Sequence, residues 1–307
     1  MDKEYAIGID VGGSSFKCGV ISRTGALVHR FLQPLQPENA ATEDQVVALL
    51  AQAIRQCAAA APEPVRGVGI GFPGIVEENV VIGGADNLPG FEQLPLAAIL
   101  EKETGFRVLI DNDANMMGLG EWQFGAAEGC SDVVFLTVGT GIGGALVLHK
   151  KLYGGYKNRG AELGHIIIQQ DGRPCTCGGK GCLESYASVT ALVDQYRLLH
   201  PQAGTGVNGA FIVERYRAGE GAAVAALQQH FDALAQGVAS LVNIFSPQKV
   251  VIGGGISEAG AFYIREIESR VLRMAMPAAR QHTQLAAALL GNKAGMLGCA
   301  ANVFQHF

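Results

Sequence analysis

The sequence has little proline, and its many glycines have no regular spacing. Only 11 of the 307 residues are proline, and the 42 glycines follow no fixed period, which excludes a collagen-like chain. Apolar residues make up 49% of the chain, which is enough to fill a core and excludes an intrinsically disordered chain. The composition therefore predicts a globular protein.

Long apolar runs are also absent. No uninterrupted apolar stretch approaches the ~18 residues that a membrane-spanning helix needs. The apolar-leaning segment Tyr5–Val11 is too short, and follows the wrong residues, for a secretory signal. We therefore expect a cytoplasmic protein with no membrane partner.

The chain lacks the basic excess of a nucleic-acid-binding protein. Lysine and arginine number 23 against 28 acidic residues, a formal net charge of −5. We therefore expect no nucleic-acid partner. In a cytoplasmic protein the seven cysteines favour metal binding or burial over disulfides. Four of them lie in apolar settings and are expected to fill core space: Cys18, Cys57, Cys130 and Cys299.

The length favours two domains of roughly 100–200 residues each. A pattern of strand, glycine-rich turn and strand opens the chain at Tyr5–Ile21 and recurs at Val133–His149, which indicates a weak internal duplication. Strands that alternate with helices predict α/β layers. We expect a small N-terminal α/β domain over 1–113, completed by a C-terminal helix at 294–307, and a large α/β domain over 114–293.

Three glycine clusters each follow a predicted strand. They are Asp10-Val11-Gly12-Gly13-Ser14-Ser15, Thr137-Val138-Gly139-Thr140-Gly141-Ile142-Gly143-Gly144 and Gly253-Gly254-Gly255-Ile256-Ser257. Glycine lets backbone N–H groups approach an anion without a Cβ in the way, so these loops suit phosphate. For any one loop the alternative is a simple hairpin turn. Two literal G-x-G-x-x-G matches lack the following helix of a dinucleotide site.

A cysteine-rich knuckle at 165–184 predicts a metal site. Cys175, Cys177 and Cys182 follow His165, and three thiolates with one imidazole complete a tetrahedral zinc set with no open position. Such a set shapes a loop and does not activate water. The alternatives are reduced cysteines in a surface loop, and a core histidine at position 165.

Acidic residues cluster at two places. Asp111-Asn112-Asp113-Ala114-Asn115 lies where a strand ends and a helix begins, where a carboxylate could accept a proton from a substrate hydroxyl or merely cap the helix. Glu162 and Glu184 flank the knuckle, and a metal that ties both segments together favours a shared role in polyol binding. The alternative for each glutamate is a solvated surface position.

Together these residues resemble the ROK family (repressor, open reading frame, kinase) of bacterial sugar kinases over nearly the whole chain. The matching stretches are Asp10–Lys17, Gly69–Gly74, Asp111–Asn115, Thr137–Gly144, Glu162–His165, Cys175–Glu184 and Val251–Ser257. The resemblance implies an actin-like ATPase (ribonuclease H-like) fold, with two α/β domains around a central cleft that takes ATP and sugar.

The resemblance also implies roles for individual residues. Asp113 resembles the catalytic base that accepts the proton of the sugar 6-hydroxyl. The residues that resemble sugar ligands are Asn87, Asn112, Glu162, His165 and Glu184, with His165 shared between sugar and Zn2+. Those that resemble ATP and Mg2+ ligands are Asp10, Gly12, Gly13, Ser14, Gly139, Thr140, Gly141, Gly254 and Gly255. Family members usually have Gly-Gly-Thr-Lys in the first loop, where this chain has Gly-Gly-Ser-Ser, so Lys17 becomes the candidate for the nearby positive charge.

The expected activity is therefore ATP-dependent phosphorylation of a hexose, with glucose favoured over N-acetylmannosamine, fructose and allose. Glucose is favoured because Asn87–Phe91 and Asn112–Asn115 look like the corresponding segments of ROK glucokinases. The alternatives are a sugar-responsive regulator, disfavoured because the first strand starts by residue 5 and leaves no room for a helix-turn-helix, and a sugar-binding module without catalysis. A homodimer is typical of relatives.

Overall fold

The computed structural model describes residues 4–35, 42–84, 88 and 90–307. The chain forms two compact units. The first unit contains the described residues up to Gly129 together with Leu152–Ala161 and Asn292–Phe307, and the second contains Cys130–Lys151 and Glu162–Gly291. This division differs from the predicted boundary at 113/114. The helix that starts at Asp113 belongs to the first unit because it packs closely against the C-terminal helix.

The first unit is built on a five-stranded sheet of order β3-β2-β1-β4-β7. Its strands are β1 (Tyr5–Val11), β2 (Ser15–Ser22), β3 (Leu27–Pro34), β4 (Val65–Phe72) and β7 (Val108–Asn112), and a separate hairpin contains β5 (Ile75–Glu77) and β6 (Val80–Gly83). Strands β1, β4 and β7 are parallel, so their carboxyl ends share one edge. The register places Asp10 beside Gly71 and Gly71 beside Asp111 at that edge.

Four helices complete the first unit. They are α1 (Glu43–Ala60), α2 (Leu96–Thr104), α3 (Asp113–Phe124) and α10 (Ala294–His306). Helix α1 starts at a capping box in which the Thr42 side chain accepts from the Gln45 backbone N–H and the Gln45 side chain accepts from that of Thr42. Helix α10 lies on β1 and β4 as well as on α3, and every residue from Ala294 to Val303 is buried. The core of this unit therefore includes most of α10.

The second unit has a sheet with the same strand order, β10-β9-β8-β11-β12. Its strands are β8 (Val133–Val138), β9 (Ile142–Leu148), β10 (Lys151–Leu152), β11 (Lys249–Gly253) and β12 (Gln284–Ala287). In the first sheet β1 and β2 form an antiparallel hairpin, and β4 and β7 run parallel to β1. In the second sheet β8 and β9 form the corresponding hairpin, and β11 and β12 run parallel to β8. The repeat of strand, glycine turn and strand in the sequence predicted this duplication.

Helices and turns surround the second sheet. They are α4 (Glu184–Ala187), α5 (Val189–Leu199), α6 (Gly209–Arg217), α7 (Gly221–Phe245), α8 (Ala261–Met274) and α9 (Pro277–Arg280), with 3-10 turns at Leu163–His165 and Gly255–Ala259. Along α7 an apolar stripe spaced by three or four residues is buried at Leu227, Phe231, Leu234, Val238 and Leu241 and half-buried at Phe245. This spacing places one face of the helix in the core.

Two other expectations bear on the interior and on membranes. Cys18, Cys57 and Cys299 are fully buried, but Cys130 is only half-buried, because it lies in the turn before β8.

Among the residues that the structure describes, no helix combines the length and the apolar character needed to span a bilayer.

Candidate active site

Asp10 ends β1 of the first unit as a buried acid with a direct cationic partner. It is 3% exposed, and its Oδ2 atom lies 2.8 Å from the Nζ atom of Lys17. The two residues face each other on antiparallel strands. Helix α10 also begins at this carboxylate, since a Cβ added to Gly295 would lie 2.7 Å from the Asp10 Cγ atom. A helix N-terminus favours a negative charge, so Asp10 lies beside two sources of positive potential, Lys17 and the start of α10.

The first glycine loop follows directly. The backbone N–H of Gly12 donates to the carbonyl of Ser15 at 3.0 Å, which closes the turn between β1 and β2. The carbonyl of Ser14 accepts from Leu35, and both Gly13 and Ser14 are exposed. The tip of the loop is therefore open to solvent, while Lys17 lies at the Asp10 end and not at the tip.

Asp113 stands in the first turn of α3, and Asn112 is the cap of that helix. The Asn112 Oδ1 atom accepts from the backbone N–H groups of Ala114 at 2.9 Å and Asn115 at 3.1 Å, and its Nδ2 atom donates to the carbonyl of Gly74 at 3.0 Å. The capping alternative is thus correct for Asn112, whose Oδ1 atom and one amide N–H are engaged within the protein. The half-buried Asp113 carboxylate accepts from Ala114 and lies at the positive end of the helix.

Asp111 is held by a residue that the sequence analysis missed. Its Oδ1 atom accepts from the backbone of Asn112 at 2.7 Å, from Asn115 Nδ2 at 3.0 Å and from Asn158 Nδ2 at 2.8 Å. Asn158 also donates to the carbonyl of Val76. No local pattern marks Asn158, because its partner Asp111 lies 47 positions earlier in the chain.

The knuckle of the second unit brings its four predicted ligands together. The ligand atoms of His165, Cys175, Cys177 and Cys182 all lie within 4.8 Å of one another. The His165 Nδ1 and Cys175 Sγ atoms are 3.6 Å apart, and the Cys177 and Cys182 Sγ atoms are 3.7 Å apart. Two sulfurs at about 2.3 Å from one tetrahedral zinc would be separated by ~3.8 Å. The set therefore fits a structural metal.

The acidity of the thiols agrees with this fit. Burial raises the pKa of the Cys182 thiol to about 12, and the neighbouring thiols add to the effect. For Cys175, burial acts to raise the pKa, but hydrogen bonds from the Cys177 backbone and from the Ser185 side chain outweigh it and lower the pKa to about 7. Three thiolates would therefore not form together near neutral pH unless a cation compensated their charge.

Glu162 and Glu184 have different surroundings. Glu162 is exposed and precedes the 3-10 turn that carries His165, whose backbone N–H donates to the Glu162 carbonyl. Glu184 is half-buried: its Oε2 atom accepts from the backbone N–H of Ile142 at 2.8 Å, and its Oε1 atom accepts from the Thr176 hydroxyl at 3.3 Å. Glu184 therefore touches both the knuckle and the glycine loop.

The second glycine loop borders a cavity of about 620 Å³ within the second unit. The predicted residues Gly139, Thr140 and Gly255 line it, and α6 contributes Glu214 and Arg217, which the sequence analysis did not identify. A cavity of this size accepts an organic molecule as large as a nucleoside.

Two predicted residues do not line this cavity. Gly141 contacts Glu184 and does not line the cavity. Gly254 also lies outside the lining, next to Gly255, with a φ of 89°. Asn87 falls outside the residues that the structure describes.

Residues 6–306 match the sequence model of the ROK family. The chain belongs to the ROK family. This membership gives it the actin-like ATPase fold, which agrees with two sheets of matching strand order.

Individual ROK proteins resemble the chain closely. A glucokinase of Thermotoga maritima is 36% identical, with 98% of each protein covered. The crystal structure of a ROK glucokinase from Streptomyces griseus, in complex with glucose and AMPPNP, superposes with a TM-score of 0.84 at 32% identity, over 98% of this chain and 99% of that one. A xylose repressor of Caldicellulosiruptor bescii is 31% identical over 80% of this chain and 64% of the repressor.

Proposed function

We propose that this ROK protein is an ATP-dependent hexose kinase that phosphorylates the 6-hydroxyl, with glucose as its substrate. The observation that carries the proposal is the similarity to glucokinases over 98% of the chain, because that span includes every element that bears a candidate ligand. Sugar and ATP are then its small-molecule partners.

Asp113 would be the catalytic base. Its carboxylate takes the proton of the sugar 6-hydroxyl while O6 forms a bond to the γ-phosphorus of ATP. The bond from that phosphorus to the β–γ bridging oxygen breaks, and ADP leaves. The position of Asp113 in the first turn of α3, behind a cap made by Asn112, supports this role because the backbone fixes where the carboxylate points.

The hexose hydroxyls need hydrogen-bonding side chains. Glu162 and Glu184 offer acceptors, Asn112 offers its remaining amide N–H, and His165 offers Nε2, which makes no hydrogen bond to the residues that the structure describes. We assign Asn87 to the same role from the family resemblance.

ATP would be bound by the two glycine loops and the cavity. Gly13 and Ser14 would supply backbone N–H groups and a hydroxyl to phosphate, and Thr140 and Gly141 would do the same on the second unit. Gly12 and Gly139 would shape these two loops, because their own N–H groups donate to Ser15 and Gly141 within the loops. The cavity beside Gly255 suits the adenosine, and Gly254 leads into it. Mg2+ supplies charge compensation on the phosphates, with Asp10 as its protein-side acid and Lys17 beside it.

The remaining assignments are structural and cellular. Zn2+ would be held by His165, Cys175, Cys177 and Cys182, where it shapes the knuckle without taking part in the reaction. We further propose a cytoplasmic homodimer, on the basis of the family resemblance.

The decisive experiment is a coupled assay of ADP release with a panel of hexoses and N-acetylhexosamines. We expect glucose to give the highest kcat/KM, and 31P NMR to show phosphate on O6. Higher turnover of N-acetylmannosamine, fructose or allose would support the kinase activity but assign a sugar other than glucose as the substrate. No sugar-dependent ADP release with any sugar would contradict the kinase.

A second candidate is a sugar-responsive regulator without catalysis, which the similarity to a xylose repressor favours. Calorimetry separates the two. Saturable sugar binding without ADP release would support the regulator, whereas turnover would exclude it.

A further inference from the structure

The second glycine loop is held from one side by the residues that follow the knuckle. The carbonyl of Gly139 accepts from the backbone N–H of Val189 at 2.8 Å, and the carbonyl of Thr140 accepts from the Thr190 hydroxyl at 2.7 Å. The N–H of Ile142 donates to Glu184. These three contacts come from the first residues of α4 and α5.

The backbone at Gly141 lies directly against the Glu184 carboxylate. A Cβ at position 141 would collide with the Oε2 atom of Glu184, so only glycine allows this approach. The loop conformation and the Glu184 position are therefore fixed together. The backbone N–H groups of Thr140 and Gly141 make no hydrogen bond to the described residues, which leaves them for an anion.

The other end of Glu184 contacts the knuckle. Its Oε1 atom lies 3.3 Å from the Thr176 hydroxyl and 3.8 Å from the Sγ atom of the metal-ligand candidate Cys175. Glu184 also follows Cys182, another ligand candidate, by only two residues. A metal that closes the knuckle would therefore also fix the backbone and the side chain of Glu184.

We propose that metal binding at the knuckle and nucleotide binding at the second glycine loop are energetically coupled, with Glu184 as the positioning residue between them. When the knuckle is open, Glu184 is released, Ile142 loses its acceptor, and the loop no longer presents its free N–H groups in a fixed array. Coupling is reciprocal, so bound nucleotide must raise the affinity for the metal by the same factor by which bound metal raises the affinity for nucleotide. The inference rests on the proposed nucleotide site.

The test measures two equilibria without catalysis. Calorimetry gives the Kd of the MgATP analogue AMPPNP, in the absence of sugar, for zinc-loaded protein and for protein depleted of zinc with a chelator and then dialysed. Competition with a chromogenic chelator gives the Zn2+ affinity with and without AMPPNP. We expect about a tenfold change in each, within the usual range of coupling. A change below twofold in either measurement would overturn the proposal.

Variants separate coupling from unfolding of the metal-free protein. In the zinc-loaded form, Glu184→Ala should weaken AMPPNP binding to the level of metal-free wild type and bring the coupling factor close to 1. Glu184→Gln retains an acceptor for the Ile142 N–H and should restore most of the AMPPNP affinity and most of the coupling. Gln236→Ala is the matched control, because Gln236 donates to Ile168 near the knuckle and does not contact the loop. A Glu184→Ala protein with full coupling would refute the role of Glu184.

The same data distinguish this inference from the proposed function. If zinc-loaded wild type does not bind AMPPNP at all, the nucleotide site itself is wrong. If it binds AMPPNP equally well with and without zinc, only the coupling fails.

Discussion

Lys17 and Asp10 are direct partners across two antiparallel strands, with the lysine Nζ atom 2.8 Å from the carboxylate Oδ2 atom. The positive charge of Lys17 is thus engaged by a buried acid and is not free at the tip of the first glycine loop. Helix α10 reaches the same carboxylate through Gly295, where no side chain intervenes.

Gly295→Ala should displace Asp10. The added methyl carbon would lie 2.7 Å from the Asp10 Cγ atom, so either the carboxylate or α10 must move. We expect a loss of about 1–3 kcal/mol in unfolding free energy, with a raised Mg2+ requirement in the ADP-release assay. Gly221→Ala is the control, since nothing lies within 4 Å of its added Cβ, and it should neither lower the unfolding free energy nor raise the Mg2+ requirement. A Gly295→Ala enzyme with wild-type Mg2+ dependence would contradict the assignment of Asp10.

Asp113→Asn should remove the base while keeping the fold and the pocket. We expect kcat to fall by about 10²–10⁴-fold, because proton acceptance is lost, and the Kd for glucose from calorimetry to stay within a few-fold. Asp44→Asn alters an acid in the first turn of another helix, α1, and should leave kcat unchanged. Near-wild-type turnover of Asp113→Asn would exclude Asp113 as the base.

Metal analysis should find about one zinc per chain. Removal by a chelator should expose the thiols of Cys175, Cys177 and Cys182 to a thiol reagent, whereas the buried Cys18 and Cys57 remain protected until the protein unfolds. Mass spectrometry of the labelled peptides makes this comparison. A fully active preparation without zinc would refute the structural metal.

Ala161→Gly should stabilise the protein. Ala161 has a φ of 63°, a left-handed conformation that costs a residue with a Cβ roughly 1–2 kcal/mol. Glycine removes this cost but adds about 0.5–1 kcal/mol of chain entropy, so the net gain should be about 0.5–1 kcal/mol in urea unfolding. Ala218→Gly is the control with a φ of −77° and should destabilise instead. Equal effects of the two substitutions would contradict strain at Ala161.

Unfolding free energy should fall between pH 6.5 and pH 4 because of His230. Burial lowers the pKa of this histidine to about 4, and its Nε2 atom lies 2.7 Å from the Tyr263 hydroxyl. The unfolded state takes up a proton below about pH 6.5 while the folded state does not, so stability is complete above that pH and is lost as pH falls towards 4. The loss attributable to His230 approaches ~3 kcal/mol.

His230→Gln keeps a hydrogen-bonding group for Tyr263 but cannot titrate, so its stability should depend less on pH over this window. Urea titrations at half-unit steps measure the difference. The exposed His282→Gln should behave like wild type. Parallel curves for wild type and His230→Gln would exclude His230 as the source.

Local patterns predicted much of the fold. The predicted repeat of strand, glycine turn and strand at Tyr5–Ile21 and Val133–His149 corresponds to β1–β2 and β8–β9, because these strands are short apolar runs joined at glycines. Helix α8 was missed because its buried face includes Arg270, whose charge breaks the apolar stripe. Arg270 is tolerated there through the carboxylates of Asp232 and Glu266 at 2.6 Å, and the sequence pattern does not reveal that arrangement.

In the candidate site, too, local sequence patterns predicted some residues and missed others. The acids at strand ends and the Cys-x-Cys-x4-Cys spacing mark Asp113 and the knuckle, because each depends on neighbours in the chain. Asn158 and the contact between Gly141 and Glu184 depend on residues more than 40 positions apart. No periodicity or local motif carries such a pairing, so only the folded chain reveals it.

The unit that contains the first strand is also the unit that contains the last helix. A nascent chain that has emerged as far as residue 291 holds all of Cys130–Lys151 and Glu162–Gly291, but still lacks the helix that covers β1 and β4. During vectorial synthesis the unit that contains β1 is therefore completed after the second unit. Until Ala294–His306 leaves the ribosome, the apolar face of those two strands stays open to chaperones and to aggregation.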